Sequence, residues 1–302
     1  MKHPWKLTIL ILFMFLITQF IGLYVVGHYL SPGKVLPYGM GMPEYQKSDY
    51  MPNFISILVA FIIAIAIFFL LTKIKARFVM RIWFFIVVML ALGVSIIAII
   101  SPFLPQFKYI GFLALIIALP LSLSKIYSRN IITHNFTELL IYPGIAAIFV
   151  PLLSLVFLMI LLVLISVYDA WAVWKSGLMQ KMAKYQMSEL KIFGGFMIPY
   201  LSKKQWLQIK KAKKQNKERL EKKEIKVNVA LLGGGDIVFS IISAGVLLKI
   251  WGIWPAILVI AGALLGLGLL MAFAKKKMYP AMPFITAGIF LAILISYLIW
   301  MI

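Results

Sequence analysis

The chain has 302 residues, of which 63% are hydrophobic and only 13% are charged, and many apolar runs are long enough to cross a bilayer as helices. This composition excludes a soluble domain and indicates a polytopic membrane protein. The absence of cysteine excludes disulfides, thiolate metal sites and a cysteine nucleophile. The formal net charge of +21 would suggest nucleic-acid binding in a soluble protein, so the positions of the charges decide its meaning.

Nine apolar spans are predicted, which makes the expected fold all-α with nine transmembrane helices. In chain order they cover residues 7–29, 53–72, 82–101, 109–124, 131–149, 153–174, 228–248, 252–274 and 280–301. The first is interpreted as a retained helix, because it is too long for a secretory signal and no small-residue cleavage site follows. We place the boundary between the fifth and sixth spans at Pro151, with a kink at Tyr142, Pro143 and Gly144; the alternative is a turn at Pro143 and Gly144.

Basic residues concentrate on one side of the predicted membrane. They precede the first span and follow the second, fourth and eighth, at Lys2, Lys6, Lys73, Lys75, Arg77, Arg81, Lys125, Arg129, Lys275, Lys276 and Lys277. Loops on the other side carry little net positive charge. Because cytoplasmic loops are enriched in Lys and Arg, we expect a cytoplasmic N-terminus and an outside C-terminus.

One long loop divides the chain. Residues 175–227 hold 15 of the 30 Lys and Arg residues and separate a six-helix part, residues 1–174, from a three-helix part, residues 228–302. The alternation places this loop in the cytoplasm, where each basic residue near anionic headgroups contributes about 1 kcal/mol of attraction. Topology therefore explains the charge, and we expect no nucleic-acid partner.

Three of the nine acidic residues fall within predicted spans: Glu138, Asp169 and Asp236. Burying an acidic side chain at mid-membrane costs roughly 2.5 to 3.5 kcal/mol, so such residues face protein or water. Asp169 lies near the cytoplasmic end of the sixth span, where hydration at the interface is an alternative explanation. Asp236 is placed about eight residues, or about 12 Å, inside the seventh span. Because the two helices are antiparallel, the two aspartates could face each other.

Two carboxylates in one water-accessible pocket share a proton, as in an aspartic protease dyad. The ionised one can take a proton from water while the protonated one polarises a peptide carbonyl, without metal or cofactor. Gly233, Gly234 and Gly235 would let another backbone approach Asp236, although a simple packing notch is the alternative.

Two prolines open the ninth span, in the segment Pro280-Ala281-Met282-Pro283. Proline removes a backbone donor and cannot extend a helix backward. The segment therefore predicts an ordered loop at the cytoplasmic edge of that span, or else only a helix start.

Together these stretches resemble a known family. Tyr168-Asp169, Gly233-x-Gly235-Asp236 and Pro280-Ala281-Met282 are similar, in this order, to the YD, GxGD and PAL motifs of the presenilin and signal peptide peptidase intramembrane aspartyl proteases. The resemblance covers nearly the whole chain, and the compact size is similar to that of archaeal members. Met282 replaces the family's leucine, a volume-conserving change, and Gly234 stands where a bulkier residue is usual.

The resemblance implies that Asp169 and Asp236 are the catalytic pair. It implies that Pro280, Ala281 and Met282, with the adjoining Pro283, shape the active site and hold substrate. Supporting roles are implied for Tyr168 and for Gly233, Gly234 and Gly235.

The expected partners are a transmembrane helix of a protein substrate and the lipid bilayer. No cofactor or metal is expected, and the chain is expected to be a multi-pass protein of the cell membrane. The expected orientation is presenilin-like, so substrate helices should have their N-termini outside. Cleavage requires the substrate helix to unwind locally, and we expect the unwound segment to pair as a strand with chain near Gly233–Asp236 and Pro280–Met282. The apolar stretch "IFGGFMIPYL" in the long loop is expected to dock on the membrane part, as a plug or a self-cleavage segment.

Two rival functions remain open. A prepilin-type peptidase also carries GxGD, but the order of motifs and the proline segment argue against it. A transporter or channel could use the buried aspartates to bind cations or protons.

Two smaller patterns carry structural predictions. His134, Asn135 and Glu138 indicate a polar patch beside a water cavity rather than a metal site. Gly262-x-x-x-Gly266 predicts a close helix contact.

Overall fold

The computed structural model describes residues 5–40, 50–74, 76–128, 130–176, 193–200, 228–273 and 279–300. In this part of the chain the protein is mostly helical. Nine α-helices are present: α1 Trp5–Leu30, α2 Tyr50–Lys73, α3 Arg77–Ile100, α4 Ile110–Tyr127, α5 Ile131–Phe149, α6 Leu155–Trp171, α7 Gly234–Trp251, α8 Ile253–Phe273 and α9 Met282–Trp300.

Eight of these helices are long and apolar enough to cross a membrane, when only the described residues are considered. The remaining helix, α2, contains a shorter apolar stretch at Phe54–Ala64. The protein is therefore a multi-pass integral membrane protein. The ninth span and the orientation of the termini stay predictions.

The boundary between the fifth and sixth spans lies where the sequence indicates. A 3-10 turn at Val150–Leu152, containing Pro151, separates α5 from α6. The side chain of Ser154 then caps α6 by accepting a hydrogen bond from the backbone N–H of Phe157. Pro143 lies inside α5, so the prediction of a boundary at Pro151 is confirmed.

A two-stranded antiparallel sheet, which the all-α prediction does not include, joins the long loop to the membrane part. Strand β1 is Gly195–Tyr200 and strand β2 is Asn228–Gly233, with Gly195 opposite Gly233 and Tyr200 opposite Asn228. Strand β1 contacts α1, α5 and α7. The stretch "IFGGFMIPYL" thus docks on the membrane part in its described portion, residues 193–200.

The seventh span begins later than predicted. Residues 228–233 form β2 and the helix starts only at Gly234, so the placement of Asp236 about eight residues inside a span is wrong. The physical reason is that the short apolar run before the glycines suits helix and strand equally, and pairing with β1 selects the strand.

The core surrounds α7, which packs against α1, α5 and α8. Its residues Ile237, Ile241 and Leu247 are completely buried. Gly22 of α1 lies against Ile241, and a Cβ at Gly22 would overlap the Ile241 side chain. The close approach of α1 therefore fixes the position of α7, whose first turn carries Asp236.

Helices α8 and α9 also approach closely, as the Gly262-x-x-x-Gly266 pattern predicts. A Cβ at Gly262 would overlap the backbone carbonyl of Gly288, and one at Gly266 would overlap that of Phe284. The predicted close helix contact is confirmed.

Replacing Gly262 with alanine is expected to destabilise the protein by about 1 to 3 kcal/mol, because α8 and α9 must move apart to admit the methyl group. Thermal unfolding in detergent measures the effect. Gly268→Ala is the matched control on the same helix, since nothing lies within 4 Å of a Cβ at Gly268. Equal midpoints for the two variants would contradict the prediction.

Candidate active site

Asp169 lies on the last turn of α6 and is half-buried. Its Oδ2 accepts a hydrogen bond from the backbone N–H of Met282 at 3.0 Å, and the N–H of Ala281 is also directed toward this carboxylate. Met282 is the first residue of α9. The carboxylate therefore occupies a helix N-terminus, where unpaired backbone N–H groups favour an acceptor.

The proline segment has a specific relation to Asp169. Of its four residues, Pro280 and Pro283 have no backbone N–H, so Ala281 and Met282 supply the two donors of the segment. Both donors are directed at Asp169. Pro280 and Met282 are buried, which holds the segment in place.

A second contact joins the same two helices. The hydroxyl of Ser166 on α6 donates a hydrogen bond to that of Thr286 on α9 at 2.8 Å. Because Ser166 precedes Asp169 by about one helical turn, this bond reinforces the alignment of Asp169 with the start of α9.

Asp236 lies in the first turn of α7, three residues after the N-cap Gly233. Its carboxylate folds back toward the N-cap, since a Cβ at Gly233 would lie 3.2 Å from Asp236 Oδ2. Glycine at this position leaves room for the carboxylate in that orientation. The Asp169 and Asp236 carboxylates are close enough for their charges to interact.

Strand β2 runs directly into α7, whose first turn carries Asp236. One backbone contact shows which groups of the two strands are hydrogen-bonded to each other. The N–H of Gly234 donates to the carbonyl of Gly194 at 3.2 Å, so these two residues face each other across the strands. Because backbone groups alternate in direction along an antiparallel strand, the N–H and C=O groups of Val229 and Leu231 point away from β1, as does the N–H of Gly233. Val229 and Leu231 make no hydrogen bond along that edge to another described residue.

Comparison with known proteins places this chain in a family. Residues 9–302 match the family described as "Signal-peptide peptidase, presenilin aspartyl protease". The chain belongs to this family of intramembrane aspartyl proteases. No curated protein matched the chain.

Two solved structures of a presenilin family intramembrane aspartate protease have a fold similar to that of this chain. The structure in space group C222 has a TM-score of 0.60 and 20% sequence identity, and the match covers 97% of this chain and 99% of that one. The structure in space group P2 has a TM-score of 0.59 and 19% identity, and the match covers 96% of each chain.

Gly234 stands where the family usually has a bulkier residue, and the structure explains this difference. A Cβ at Gly234 would lie 2.5 Å from the hydroxyl oxygen of Tyr142, a buried residue of α5. The Tyr142 hydroxyl has no hydrogen-bond partner among the described residues. The glycine therefore accommodates a tyrosine that belongs to the neighbouring helix.

The remaining predicted site residues differ in their surroundings. Gly235 is exposed, and nothing lies within 4 Å of a Cβ there. Tyr168 is about half exposed and its ring packs beside Trp171. Pro283 lies in the first turn of α9. The structure thus gathers Asp169, Asp236, the glycines and the proline segment, whereas Tyr168 lies on an exposed face.

Sequence reasoning did not anticipate Lys125 or Tyr142 near this site. In the sequence Lys125 only marks the cytoplasmic side, whereas in the structure it is buried and forms an ion pair with Glu138. A lysine and a glutamate at neighbouring span ends are the signal that could have indicated the pair. Among the described residues no group of three metal-ligating side chains occurs, and His134, Asn135 and Glu138 are hydrogen-bonded to protein.

Proposed function

We propose that this protein is an intramembrane aspartyl protease that cleaves single-span membrane substrates with Asp169 and Asp236 as its catalytic pair. The observation that carries the proposal is that α6 and α7, which carry the two aspartates, both contact α9, whose Met282 N–H binds the Asp169 carboxylate. Membership of the family supplies the reaction class.

The chemistry follows from one shared proton. The ionised aspartate removes a proton from water as the water oxygen bonds to the scissile carbonyl carbon, and the protonated aspartate donates its proton to the carbonyl oxygen. The tetrahedral intermediate then collapses as its C–N bond breaks. The aspartate that took the proton from water gives it to the departing amine, and a hydroxyl of the intermediate returns its proton to the other aspartate, which restores the starting state. The amides of Ala281 and Met282 keep Asp169 in place throughout, so that little reorganisation is needed during the reaction.

The outer edge of β2 supports strand pairing with substrate. A transmembrane helix hides its peptide bonds in its own hydrogen bonds, so cleavage requires an unwound segment whose backbone groups find new partners. The outward N–H and C=O groups of Val229 and Leu231 can provide them, as in strand addition to an open sheet edge. Because β2 continues into Gly233–Asp236, a strand paired with it would reach the carboxylates.

Replacing Leu231 with proline is expected to raise the KM for substrate about tenfold, because proline removes an outward N–H donor while leaving the inner pairing with β1 intact. Leu231→Ala is the matched control, since it keeps the N–H and should retain a near-normal KM. Kinetics with a purified single-span substrate measure both. An unchanged KM in Leu231→Pro would exclude pairing along this edge.

The proposed function itself is tested with purified protein in detergent or lipid and a panel of single-span substrates. Mass spectrometry of the products should locate cleavage within the transmembrane segment. Absence of products across the panel would count against proteolysis, and ion-flux measurements on the same preparations would then test the transporter alternative.

The location and orientation belong to the same proposal. We place the protein in the cell membrane with a cytoplasmic N-terminus, so that preferred substrates have their N-termini outside. This orientation rests on the distribution of Lys and Arg among the loops. Reversing the orientation of one substrate span in proteoliposomes would show whether the enzyme discriminates as expected.

A further inference from the structure

The second edge of the sheet, along β1, is covered by side chains of α5. The amide nitrogen Nδ2 of Asn135 donates to the Met197 carbonyl at 2.8 Å, and the Met197 N–H donates to Asn135 Oδ1 at 3.0 Å. One amide side chain thus replaces the peptide group that a neighbouring strand would present.

The next outward residue of β1 is bound in the same way. The N–H of Gly195 donates to Glu138 Oε1 at 3.2 Å, and Nε2 of His134 donates to the Gly195 carbonyl at 2.8 Å. A carbonyl only accepts, so the hydrogen of His134 lies on Nε2. Nδ1 is then free to accept from Lys125 Nζ, which lies 3.4 Å away and also forms the ion pair with Glu138.

The third outward residue of β1 is Pro199, which has no N–H to be satisfied. The outward donors of β1 at Gly195 and Met197 are therefore both occupied by α5. Within the described part of the chain, the edge left open to strand addition is that of β2, where Val229 and Leu231 make no hydrogen bond to another described residue.

We propose that His134, Asn135 and Glu138 are positioning residues that hold β1 in one register against α5. Through β1 they fix β2 and the hydrogen bond between Gly194 and Gly234, two residues before Asp236. This inference rests on the proposed function for its effect on substrate. Its structural part, the register of the two strands, is independent of proteolysis.

The test uses cysteine pairs, which report cleanly because the native chain has no cysteine. Met197 and Leu231 face each other in a non-hydrogen-bonded pair, whose Cα atoms are typically about 4.5 Å apart. A disulfide should form rapidly in Met197→Cys/Leu231→Cys. The pair Met197→Cys/Val229→Cys should cross-link only after a register shift of two residues. Both pairs are placed in the Asp236→Asn background, so that no cleavage interferes.

Adding Asn135→Leu should lower the yield of the native-register disulfide about tenfold and raise that of the shifted pair, because both hydrogen bonds to Met197 are lost. Asn135→Asp keeps the acceptor for the Met197 N–H and should show a smaller loss. Phe136→Ala is the matched control at an exposed neighbouring position of α5 and should leave both yields unchanged. Asn135→Asp also provides the comparison if Asn135→Leu fails to fold.

The same substitutions in the otherwise native chain should spread the cleavage positions and raise KM more than they lower kcat. Unchanged disulfide yields in Asn135→Leu would overturn the positioning role. Changed yields with unchanged product ends and KM would overturn its effect on substrate. Failure of the native chain to cleave any substrate would instead overturn the proposed function, while the disulfides would still decide the register.

Discussion

Replacing Asp236 with asparagine is expected to lower the rate of substrate cleavage by at least about a thousandfold, because the pair loses a group that must carry a proton in the transition state. Asp169→Asn should have an effect of the same size. The double variant should be little worse than either single variant, since residues that act as a unit are not additive. Product formation from a single-span substrate, quantified by mass spectrometry, measures all three.

Folding can be separated from chemistry in this experiment. An asparagine at position 169 keeps an oxygen that can accept from the amides of Ala281 and Met282, so the contact between α6 and α9 should persist. Thermal midpoints close to that of the native chain are therefore expected. The remaining aspartate of the chain, Asp49, is the control, and Asp49→Asn should retain activity. Cleavage that survives both active-site substitutions would reveal another protease in the preparation.

Removing Glu138 is expected to cause the largest loss of stability. Glu138→Ala leaves Lys125 buried without its charged partner and leaves the N–H of Gly195 without an acceptor. Breaking a buried pair in this way typically costs about 3 to 5 kcal/mol. A fall in the thermal midpoint in detergent should report the loss. When Glu138→Ala is added to Met197→Cys/Leu231→Cys, the yield of the engineered disulfide should also fall.

The double variant Lys125→Met/Glu138→Leu provides the matched comparison. It removes both charges together, so it should be more stable than Glu138→Ala even though it changes more side chains. If Glu138→Ala were as stable as the native chain, the ion pair would not contribute to holding α4, α5 and β1 together.

Much of the membrane architecture was predictable because it depends on local properties. A span needs only enough consecutive apolar residues, and the fifth span was predicted at the residues that α5 occupies, 131–149. The boundary at Pro151 and the close contact at Gly262 follow from the missing donor of proline and the missing Cβ of glycine. The three motifs likewise predict that Asp169, Asp236 and the proline segment form one site.

The sheet was not predictable in the same way. Residues 228–232 read as the beginning of a span, and only their pairing with β1, from the far side of a basic loop, makes them a strand. His134, Asn135 and Glu138 read as a polar patch, and their partners are backbone groups distant in sequence. Such long-range pairing depends on which surfaces meet, which the local pattern of one segment does not contain.

By itself, therefore, the sequence determined a polytopic helical protein, the approximate limits of its spans and the residues that carry its motifs, because hydrophobic length and backbone chemistry act locally. Only the tertiary structure decided that α7 begins at Gly234, that Ala281 and Met282 direct their amides at Asp169, and that α5 covers one edge of the sheet while the other stays open. These features arise from hydrogen bonds between distant segments, and the packed helices bring their partners together.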